Sequence, residues 1–385
     1  MIFVPIYVGY DRVPEEKAYL QEIEGGIKEP ENLKQVIKAR RALKKKYGRI
    51  YVRFSEPLSL KEILEHQKLS ISSLEQKEIN TLCRYLGNRI INAIGDAVVI
   101  TPHSLTAASV LSFSKNRFSR HQVLEQVEIL MNHLNAIGVS LSDTLLLDHH
   151  QAIDQAITIY SLRKFIEPIA PHENEATGPA LYGVNENRRP NLEYYKNSCV
   201  SALAPAAYTS LVILARDAFQ FSVADLHEGY DFLQNLFGLE FPVNYESNSM
   251  HLVGKTINAF EGDAILMPHP TLPDTYNLTS AGFRKLELFS HLLKSYFESY
   301  LVVLYFLMET PKSDMSAKDR LRKIQSKGMK MMKSREIELK ESFSKINFQN
   351  AVEFFSTKGI RGKEDSENIM PFLDAIKKFL SVIPS

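Results

Sequence analysis

The sequence predicts an α+β protein that is mostly helical, with a small α/β segment over residues 1–60 and a large helical region over 61–385. Two runs of β-branched and aromatic residues, at 2–10 and 48–57, end at turn signals and are typical of strands. Beyond these runs, apolar residues recur at helical spacing through most of the chain. A connection rich in Pro, Gly and Asn at 166–192 is predicted to be a surface loop or a seam between subdomains.

The segment between the two predicted strands has the pattern of a helix. Pro30 and Glu31 supply a typical helix start, and Gly48 follows the basic residues at its end. A strand, a helix and a strand at this separation predict a right-handed crossover that joins two parallel strands. The first strand is apolar on both faces, as strands inside a parallel sheet are. Because two strands cannot bury their own faces and edges, we expect the rest of their sheet to lie elsewhere.

The helical region contains helices with recognisable ends. Ser119 and Gln122 form a capping box in front of an amphipathic helix, and Gly138 ends that helix. A further helix is predicted over 141–165. The elements predicted beyond the 166–192 connection are helices from Leu192, a small hairpin with strands at 251–254 and 264–267, a long helix at 281–308, a basic segment at 312–340 and a last helix at 368–380.

Composition sets broad bounds on the function. At 385 residues and 44% hydrophobic content, the chain can form a sizeable core and more than one domain. Its 46 Lys and Arg residues balance 45 Asp and Glu residues, so overall charge gives no argument for nucleic acid, and no such partner is expected. The two cysteines predict a reducing, cytoplasmic setting without a disulfide framework. We expect no signal peptide.

Two apolar stretches invite comparison with membrane spans. The stretch at 197–215 contains Pro205 and several small polar residues, and the one at 300–308 is short. Since a spanning helix needs about 20 apolar residues, both are predicted to be core helices, with membrane-surface contact as the alternative. The basic segment at 312–340 is predicted to be a solvated helix face, with contact to anionic lipid headgroups as the alternative.

A set of residues spread along most of the chain forms a specific combination of motifs. Its members are Val4 to Tyr10, Glu15, Tyr19, Glu22, Gly25, Lys28, Tyr47, Gly48, Val52 to Pro57 and Glu193 to Asn197, with weaker matches at Ile91, Asn92, Leu105 to Ala108 and Phe297 to Tyr300. The combination resembles the membrane-associated glycerol-3-phosphate acyltransferases, including the dihydroxyacetone-phosphate acyltransferase branch. Residues 4–10 are similar to the fourth of that family's four acyltransferase blocks. Lys196 and Ser198 depart from the Tyr-Tyr-Arg-Asn-Asn run usual in the family.

The resemblance implies that residues 1–60 are the C-terminal remnant of an αβα acyltransferase sheet. The family transfers an acyl group from acyl-CoA or acyl carrier protein to the first hydroxyl of glycerol 3-phosphate, the first step of phospholipid biosynthesis, and needs no other cofactor. Its catalytic His and Asp form a His-x-x-x-x-Asp block, in which the His is the general base, and this block precedes the fourth one. The resemblance therefore implies the C-terminal portion of such an enzyme, without a catalytic residue of its own and inactive alone.

The same block order implies partners for this portion. Pro5 and Tyr7 would line the acyl-donor side of the active site. The expected partner is an N-terminal acyltransferase segment or its equivalent, at the cytoplasmic face of the membrane. The alternative is a non-catalytic helical binding or scaffold module, derived from the family, that kept the domain and lost the chemistry.

Two stretches match the His-x-x-x-x-Asp spacing. His149 with Asp154 lies in a helical pattern, and His269 with Asp274 lies in a loop that holds two prolines. With 11 histidines in the chain, about 0.4 such matches are expected by chance, so two matches are weak evidence. Both histidines are predicted to be surface or capping residues.

Three adjacent residues, Asp148, His149 and His150, are similar to the Asp-His-His signature of metal-dependent phosphoesterases. Such a site needs several further Asp and His ligands, and no Asp-x-Asp pair on a predicted strand supplies them upstream. This is the weakest functional hypothesis, and no metal is expected. Cys83 and Cys199 are predicted to be core residues rather than nucleophiles.

Overall fold

The computed structural model describes residues 1–11, 48–70, 73–114, 117–169, 179–241, 248–312 and 315–384. It is mostly helical with small sheets, which confirms the predicted mostly helical α+β class. The α-helices are α1 (Leu60–Gln67), α2 (Gln76–Asp96), α3 (Pro102–Leu111), α4 (Arg120–Ala136), α5 (Asp143–Leu162), α6 (Arg189–Leu214), α7 (His227–Leu236), α8 (Ser249–Gly262), α9 (Ser280–His291), α10 (Lys294–Glu309), α11 (Ala317–Lys333), α12 (Lys345–Thr357) and α13 (Ser366–Ser381).

The strands are short and belong to separate small sheets. They are β1 (Ile2–Phe3), β2 (Ile6–Tyr10), β3 (Ile50–Phe54), β4 (Leu58–Ser59), β5 (Val99–Ile100), β6 (Arg117–Ser119), β7 (Ser140–Leu141), β8 (Ile166–Ile169), β9 (Leu181–Val184), β10 (Gln220–Ser222), β11 (Leu266–Pro268) and β12 (Thr275–Leu278). The sheet orders are β1-β4, β2-β3, β5-β7, β6-β9-β8 and β10-β12-β11, and only β5-β7 is parallel among these described strands. Helices therefore build most of the core.

The two predicted N-terminal strands exist, but they are antiparallel. Ile6 pairs with Phe54 and Tyr10 with Ile50, so the predicted parallel crossover is wrong. β-Branched and aromatic residues favour strands of either direction, and residue type alone does not set the direction of pairing. The helix predicted from Pro30, and the motif residues from Glu15 to Lys28, lie outside the described residues.

The β2–β3 ribbon has one face against the helices and one face outward. On the inner face, the Tyr7 hydroxyl donates to the Val99 carbonyl at 3.3 Å. On the outer face, Ile6, Val8, Val52 and Phe54 are 41, 47, 51 and 70% exposed. The prediction that both faces are buried is therefore wrong: within the described residues, the apolar outer face of the ribbon is open to solvent.

The core is centred on α6 and α10. α6 packs against α3 and α9, and all residues of α3 are buried. α11, α12 and α13 pack around α10, where Phe297 and Tyr300 are fully buried. The buried hydrophobic cluster includes residues on both sides of 166–192. The division at residue 60 and the subdomain seam stay predictions.

The predicted capping signals are confirmed. The Ser119 hydroxyl accepts from the Gln122 backbone N–H at 3.3 Å, and the Gln122 side chain accepts from the Ser119 N–H at 2.8 Å. Gly138 lies two residues beyond α4 with a φ of +76°, a conformation that favours glycine. These ends were predictable because capping depends on residues within one turn of the helix.

The predicted hairpin at 251–254 and 264–267 is wrong in its first strand. Residues 251–254 belong to α8, and β11 pairs instead with β12. A short apolar run fits a strand or a helix, and its length does not distinguish them. Val253, Ile257 and Phe260, at helical spacing, are all buried on one face of α8.

Other predicted boundaries changed in smaller ways. The long helix at 281–308 is divided into α9 and α10 at Leu292 and Leu293, which are both fully buried. The 166–192 connection contains β8 and β9, which form a sheet with β6, and residues 170–178 lie outside the described residues. α6 begins at Arg189, three residues before the predicted start.

One helix in the described part of the chain, α6, is long and apolar enough to cross a membrane by length and composition. Its most apolar window is 67% buried within the protein. Helices in the core of a protein can have the same length and apolar composition. The burial of α6 favours the prediction that it is a core helix.

The close approach of α9 to the chain before β11 makes a testable prediction at Gly282. A Cβ atom there would lie 2.2 Å from the Ile265 carbonyl oxygen, and a backbone atom cannot move aside cheaply. Gly282→Ala should therefore lower the free energy of unfolding by about 1–3 kcal/mol, the usual range for overpacking, in urea denaturation.

Gly254→Ala is the matched control, because a Cβ at Gly254 within α8 would meet nothing within 4 Å. This substitution should raise the free energy of unfolding by about 0.5–1 kcal/mol through helix propensity. Equal stability of Gly282→Ala and the wild type would contradict the described packing of α9.

Candidate functional site

The two residues predicted to line the acyl-donor side lie at the N-terminal ribbon. Pro5 is buried between β1 and β2, and its carbonyl accepts from the Ser55 N–H at 3.0 Å. Tyr7 is half-buried on the inner face of β2. Burial, partly opposed by the hydrogen bond to Val99, raises the pKa of the Tyr7 hydroxyl. The structure places Tyr7 in the wall of a cavity.

This cavity, of about 560 Å³, lies between the ribbon and three helices. Its size is within the range of about 300–1,000 Å³ found for small-molecule sites. Its lining residues are Tyr7, Ile91, Asn92, Ile94, Gly95, Asp96, Val98, Ile137, Gly138, Val139, Ser198, Ser201, Ala202, Pro205, Leu252, Lys255 and Thr256. The weaker motif match at Ile91 and Asn92 thus lies in the same cavity as Tyr7.

Two charged side chains lie in this mainly apolar cavity. Burial, opposed by the positive charge of Lys255, raises the pKa of Asp96. Burial and then the same lysine lower the pKa of the nearby His133 to about 4, so this imidazole is neutral at pH 7. The sequence missed Lys255 because the neighbouring residues were predicted to form a strand. The helical spacing of Val253, Ile257 and Phe260 is the pattern that could have placed Lys255 on a helix.

The most specific motif, Glu193 to Asn197, lies in the first half of α6 and is a structural centre. The Lys196 ammonium contacts the Glu193 carboxylate at 2.8 Å and donates to the Leu292 carbonyl at 3.1 Å. Ser295 on α10 donates to the same Glu193 oxygen at 3.0 Å. Burial raises the pKa of Glu193 against the opposing effect of Lys196. These contacts join α6 to the break between α9 and α10.

A second buried ion pair begins the same helix. The Arg189 guanidinium donates through Nε to both Glu341 oxygens, at 2.7 and 2.8 Å, and the two side chains are each 3% exposed. Glu186 lies 3.6 Å from the same guanidinium. Because the partners are 152 residues apart, no local sequence signal could have identified this pair.

The motif match at Phe297 to Tyr300 has a comparable role. Both Glu298 oxygens accept hydrogen bonds from the segment after α11, with Glu338 N–H at 3.0 Å, Leu339 N–H at 2.9 Å and the Ser342 hydroxyl at 2.7 Å. Burial raises the pKa of Glu298, although these donors oppose it. Glu298 therefore fixes the 338–342 segment onto α10.

In the two His-x-x-x-x-Asp matches, each histidine contacts a neighbouring group in the structure. His149 contacts Glu128 at 3.3 Å, whereas Asp154 pairs with Arg120. His269 Nδ1 accepts from the N–H groups of Thr271 and Leu272, at 3.2 and 3.1 Å, in the turn before β12. Each histidine has a local partner other than the aspartate of its sequence match.

The cysteines are both free, and they differ in burial. Cys199 is buried on α6, and burial raises the pKa of its thiol to about 12, so it is a core residue and a poor nucleophile. Cys83 is exposed on α2, so its prediction as a core residue is wrong. Its position on the solvent side of an amphipathic helix explains the difference.

Comparison with known proteins matches one family over most of the chain. Residues 19–364 match the model of the glycerol-3-phosphate acyltransferase C-terminal region. The chain is 23% identical over 302 residues to the glycerol-3-phosphate acyltransferase of Pseudomonas syringae pv. tomato, covering 72% of this chain and 34% of that protein. It is 22% identical over 342 residues to the enzyme of that name from Pseudomonas fluorescens SBW25, covering 83% and 38%. The chain therefore spans about a third of these relatives.

The buried Arg189–Glu341 pair makes a prediction about stability. Glu341→Ala leaves a guanidinium in the core without its bidentate partner and should lower the free energy of unfolding by about 3–5 kcal/mol. The double variant Arg189→Met with Glu341→Leu should lose much less, because neither charge of the pair remains. Urea denaturation of the wild type, Arg189→Met, Glu341→Leu and the double variant completes a double-mutant cycle, and Glu341→Ala is measured beside it.

The control for this cycle is Glu65→Ala on α1. Glu65 pairs with Lys61, and these side chains are 64 and 80% exposed, so the change should be below about 0.5 kcal/mol. A double variant as unstable as Glu341→Ala would show that the charges themselves do not explain the loss.

A buried carboxyl group near α7 predicts a pH dependence. Burial raises the pKa of Glu240 to about 7, although Asn350 and Tyr300 donate to its oxygens at 3.0 and 3.2 Å. In the unfolded chain a Glu carboxyl titrates near pH 4.3, so the folded state binds the extra proton between these values. Stability should therefore fall by about 3 kcal/mol as the pH rises from about 4.5 through 7.

Urea denaturation as a function of pH measures this slope. Glu240→Gln should flatten it, because the amide has the shape of the protonated group and no proton to lose. Glu228→Gln, at an exposed position on α7, retains Glu240 and should keep the wild-type slope. An unchanged slope in Glu240→Gln would assign the pH dependence to other groups.

Proposed function

The chain belongs to the glycerol-3-phosphate acyltransferase C-terminal region family, and from this premise we propose that it is the C-terminal portion of a glycerol-3-phosphate O-acyltransferase. The reaction transfers an acyl group from acyl-CoA or acyl carrier protein to glycerol 3-phosphate, at the start of phospholipid biosynthesis. In this proposal the chain holds one side of the active site and does not catalyse the transfer alone.

The observation that carries the proposal is the apolar outer face of the β2–β3 ribbon. Ile6 and Val8 lie in the stretch that resembles the fourth acyltransferase block, and they form an apolar surface with their partners Phe54 and Val52 on β3. Two-stranded ribbons are marginal in water, and an exposed apolar sheet face of this kind is typical of a surface that another element covers. The proposed occupant is the segment that carries the first three acyltransferase blocks.

Acyl transfer requires catalytic groups that the proposed segment would supply. Acyl transfer to a hydroxyl needs a general base within hydrogen-bond distance of the attacking oxygen, and an aspartate that orients the base. His149 and Asp154 have separate partners, and the Nδ1 of His269 is occupied by two backbone N–H groups. The proposed catalytic His and Asp therefore belong to the other segment.

The cavity behind the ribbon suits the acyl-donor side. Tyr7 and the small residues Ser201 and Ala202 line a mainly apolar space, and Lys255 supplies a positive charge at its wall. We propose that the acyl chain enters this space, with Pro5 holding the turn that positions Tyr7. A fatty acyl chain is apolar along its length, so it gains free energy by burial there.

Contact with the cytoplasmic membrane surface forms part of the proposal. α11 carries Lys and Arg residues along most of its length, and only Ile324, Gly328 and Met331 of it are buried. A basic helix face near anionic headgroups gains about 1 kcal/mol per Lys or Arg. This contact would place the active site near its lipid substrates and products.

The second candidate is a non-catalytic helical binding or scaffold module derived from the family. The paired charges of α6 favour neither candidate, because they stabilise the helical region in both. The two candidates differ in whether a segment with the first three blocks restores acyl transfer.

The proposed function makes a direct prediction. Purified chain alone should release no coenzyme A from palmitoyl-CoA and glycerol 3-phosphate above background. Addition of a polypeptide that carries the family's first three blocks should produce lysophosphatidic acid, because the general base and the donor side are then combined. Coenzyme A release and the lipid product are both measured.

Variants identify the surface and the cavity in the same assay. Val8→Asp with Val52→Asp should reduce the restored rate at least tenfold, whereas Leu162→Asp, at an exposed leucine on α5 away from the ribbon, should not. Ala202→Phe should reduce transfer from palmitoyl-CoA more than from butyryl-CoA, because it fills the cavity. Full activity of the chain alone, or no activity in any mixture although the two polypeptides bind, would contradict the proposal.

A further inference from the structure

A break in α5 brings two neighbouring histidines to one side of the helix. The backbone at Asp148 has φ −158° and ψ 88°, which interrupts the helical conformation. The Asp148 carboxylate then accepts from the Gln151 N–H at 2.9 Å, as an N-cap residue does, so the helix restarts at His149. The imidazole rings of His149 and His150 lie 4.4 Å apart between centroids.

Both histidines face one carboxylate on the neighbouring helix. The Nε2 atoms of His149 and His150 lie 3.3 and 3.7 Å from Glu128 Oε1 on α4. The three donor atoms lie within 4.8 Å of one another. Ligand atoms of a tetrahedral zinc ion, at about 2.0–2.1 Å from the metal, are about 3.3–3.4 Å apart. The two nitrogen–oxygen separations, of 3.3 and 3.7 Å, are therefore close to those that a single zinc ion would impose.

We propose that Glu128, His149 and His150 form a mononuclear binding site for zinc. Two imidazole nitrogens and one carboxylate oxygen are a ligand set that suits this ion, and a water molecule would complete the tetrahedron. The site is distinct from a phosphoesterase centre, because the Asp148 carboxylate caps the helix and the other ligands of a metal pair are not assembled there in the described residues.

The three side chains converge at the protein surface. The side chains are 33, 57 and 46% exposed for His149, His150 and Glu128, so an ion can reach them from solvent.

Zinc at this site would connect α4 to α5. The Arg120–Asp154 pair joins the same helices about two turns away, and the residue numbers rise along α4 as they fall along α5. The helices are therefore antiparallel here, and the ion would join the middle of α4 to α5 at the break at Asp148. We expect the bound zinc ion to stabilise the helical region without taking part in acyl transfer.

Calorimetric titration of the full chain with zinc chloride, after removal of metal by a chelator, tests the site. The wild type should bind one zinc ion per chain in a saturable step. The double variant His149→Gln with His150→Gln should lose this step, and Glu128→Gln should weaken it at least tenfold. Cobalt chloride should give the visible absorption of tetrahedral cobalt(II) in the wild type and not in the double variant.

His121→Gln is the matched control, because His121 contacts Glu125 at 3.4 Å on α4 and, in the part of the chain that the structure describes, belongs to no group of three metal-ligating side chains. This variant should bind zinc as the wild type does. Thermal unfolding shows whether the variants fold: without metal their Tm should equal that of the wild type, and zinc should raise Tm only where the site is intact. Equal zinc binding by the double variant, or no saturable binding by the wild type, would overturn the proposal.

Discussion

The constraint on which much of this structure depends is that the charges on α6 must be paired inside the core. α6 is a central helix, yet Arg189, Glu193 and Lys196 lie in its first turns and are almost completely buried. A buried charge without a partner is destabilising by several kcal/mol, on the order of 3–5 when one partner is removed. Ser295 and Glu341 must therefore lie where their side chains can contact α6. Glu298 is a further buried carboxylate with partners, because it accepts hydrogen bonds from the 338–342 segment.

The N-terminal ribbon is the opposite case, an apolar surface that faces solvent. Its inner face is tied to the helical region through Tyr7 and Val99, and its outer face carries paired Val8 and Val52. The buried charges of α6 are paired within the helical region, whereas the ribbon leaves apolar area open within the described residues. Because of that contrast, the proposed catalytic segment is placed on the ribbon side. The same contrast explains why the cavity behind Tyr7, and not the buried ion pairs, is the proposed place for an acyl chain.

The break in α5 shows how a local backbone feature can create a site that is independent of the ribbon. In an uninterrupted helix, consecutive side chains point about 100° apart and do not face the same partner. At Asp148 the helix stops and restarts, and both following imidazoles turn towards Glu128 on α4. The proposed zinc site and the proposed active site therefore use different elements, and each can exist without the other.

The features that could be predicted are those that depend on neighbouring residues. The capping box at Ser119, the helix end at Gly138 and the strand character of the two N-terminal runs are local, because caps and β-propensity act within a few residues. The family was recognisable for the same reason, since its motifs are short runs such as Glu193 to Asn197. The folded chain was needed to establish the antiparallel direction of the ribbon, the helical state of residues 251–254 and the pairing of Arg189 with Glu341. These three features depend on contacts between residues up to 152 positions apart in the chain. Local preference leaves several conformations nearly equal in free energy, and burial and charge pairing then select one of them.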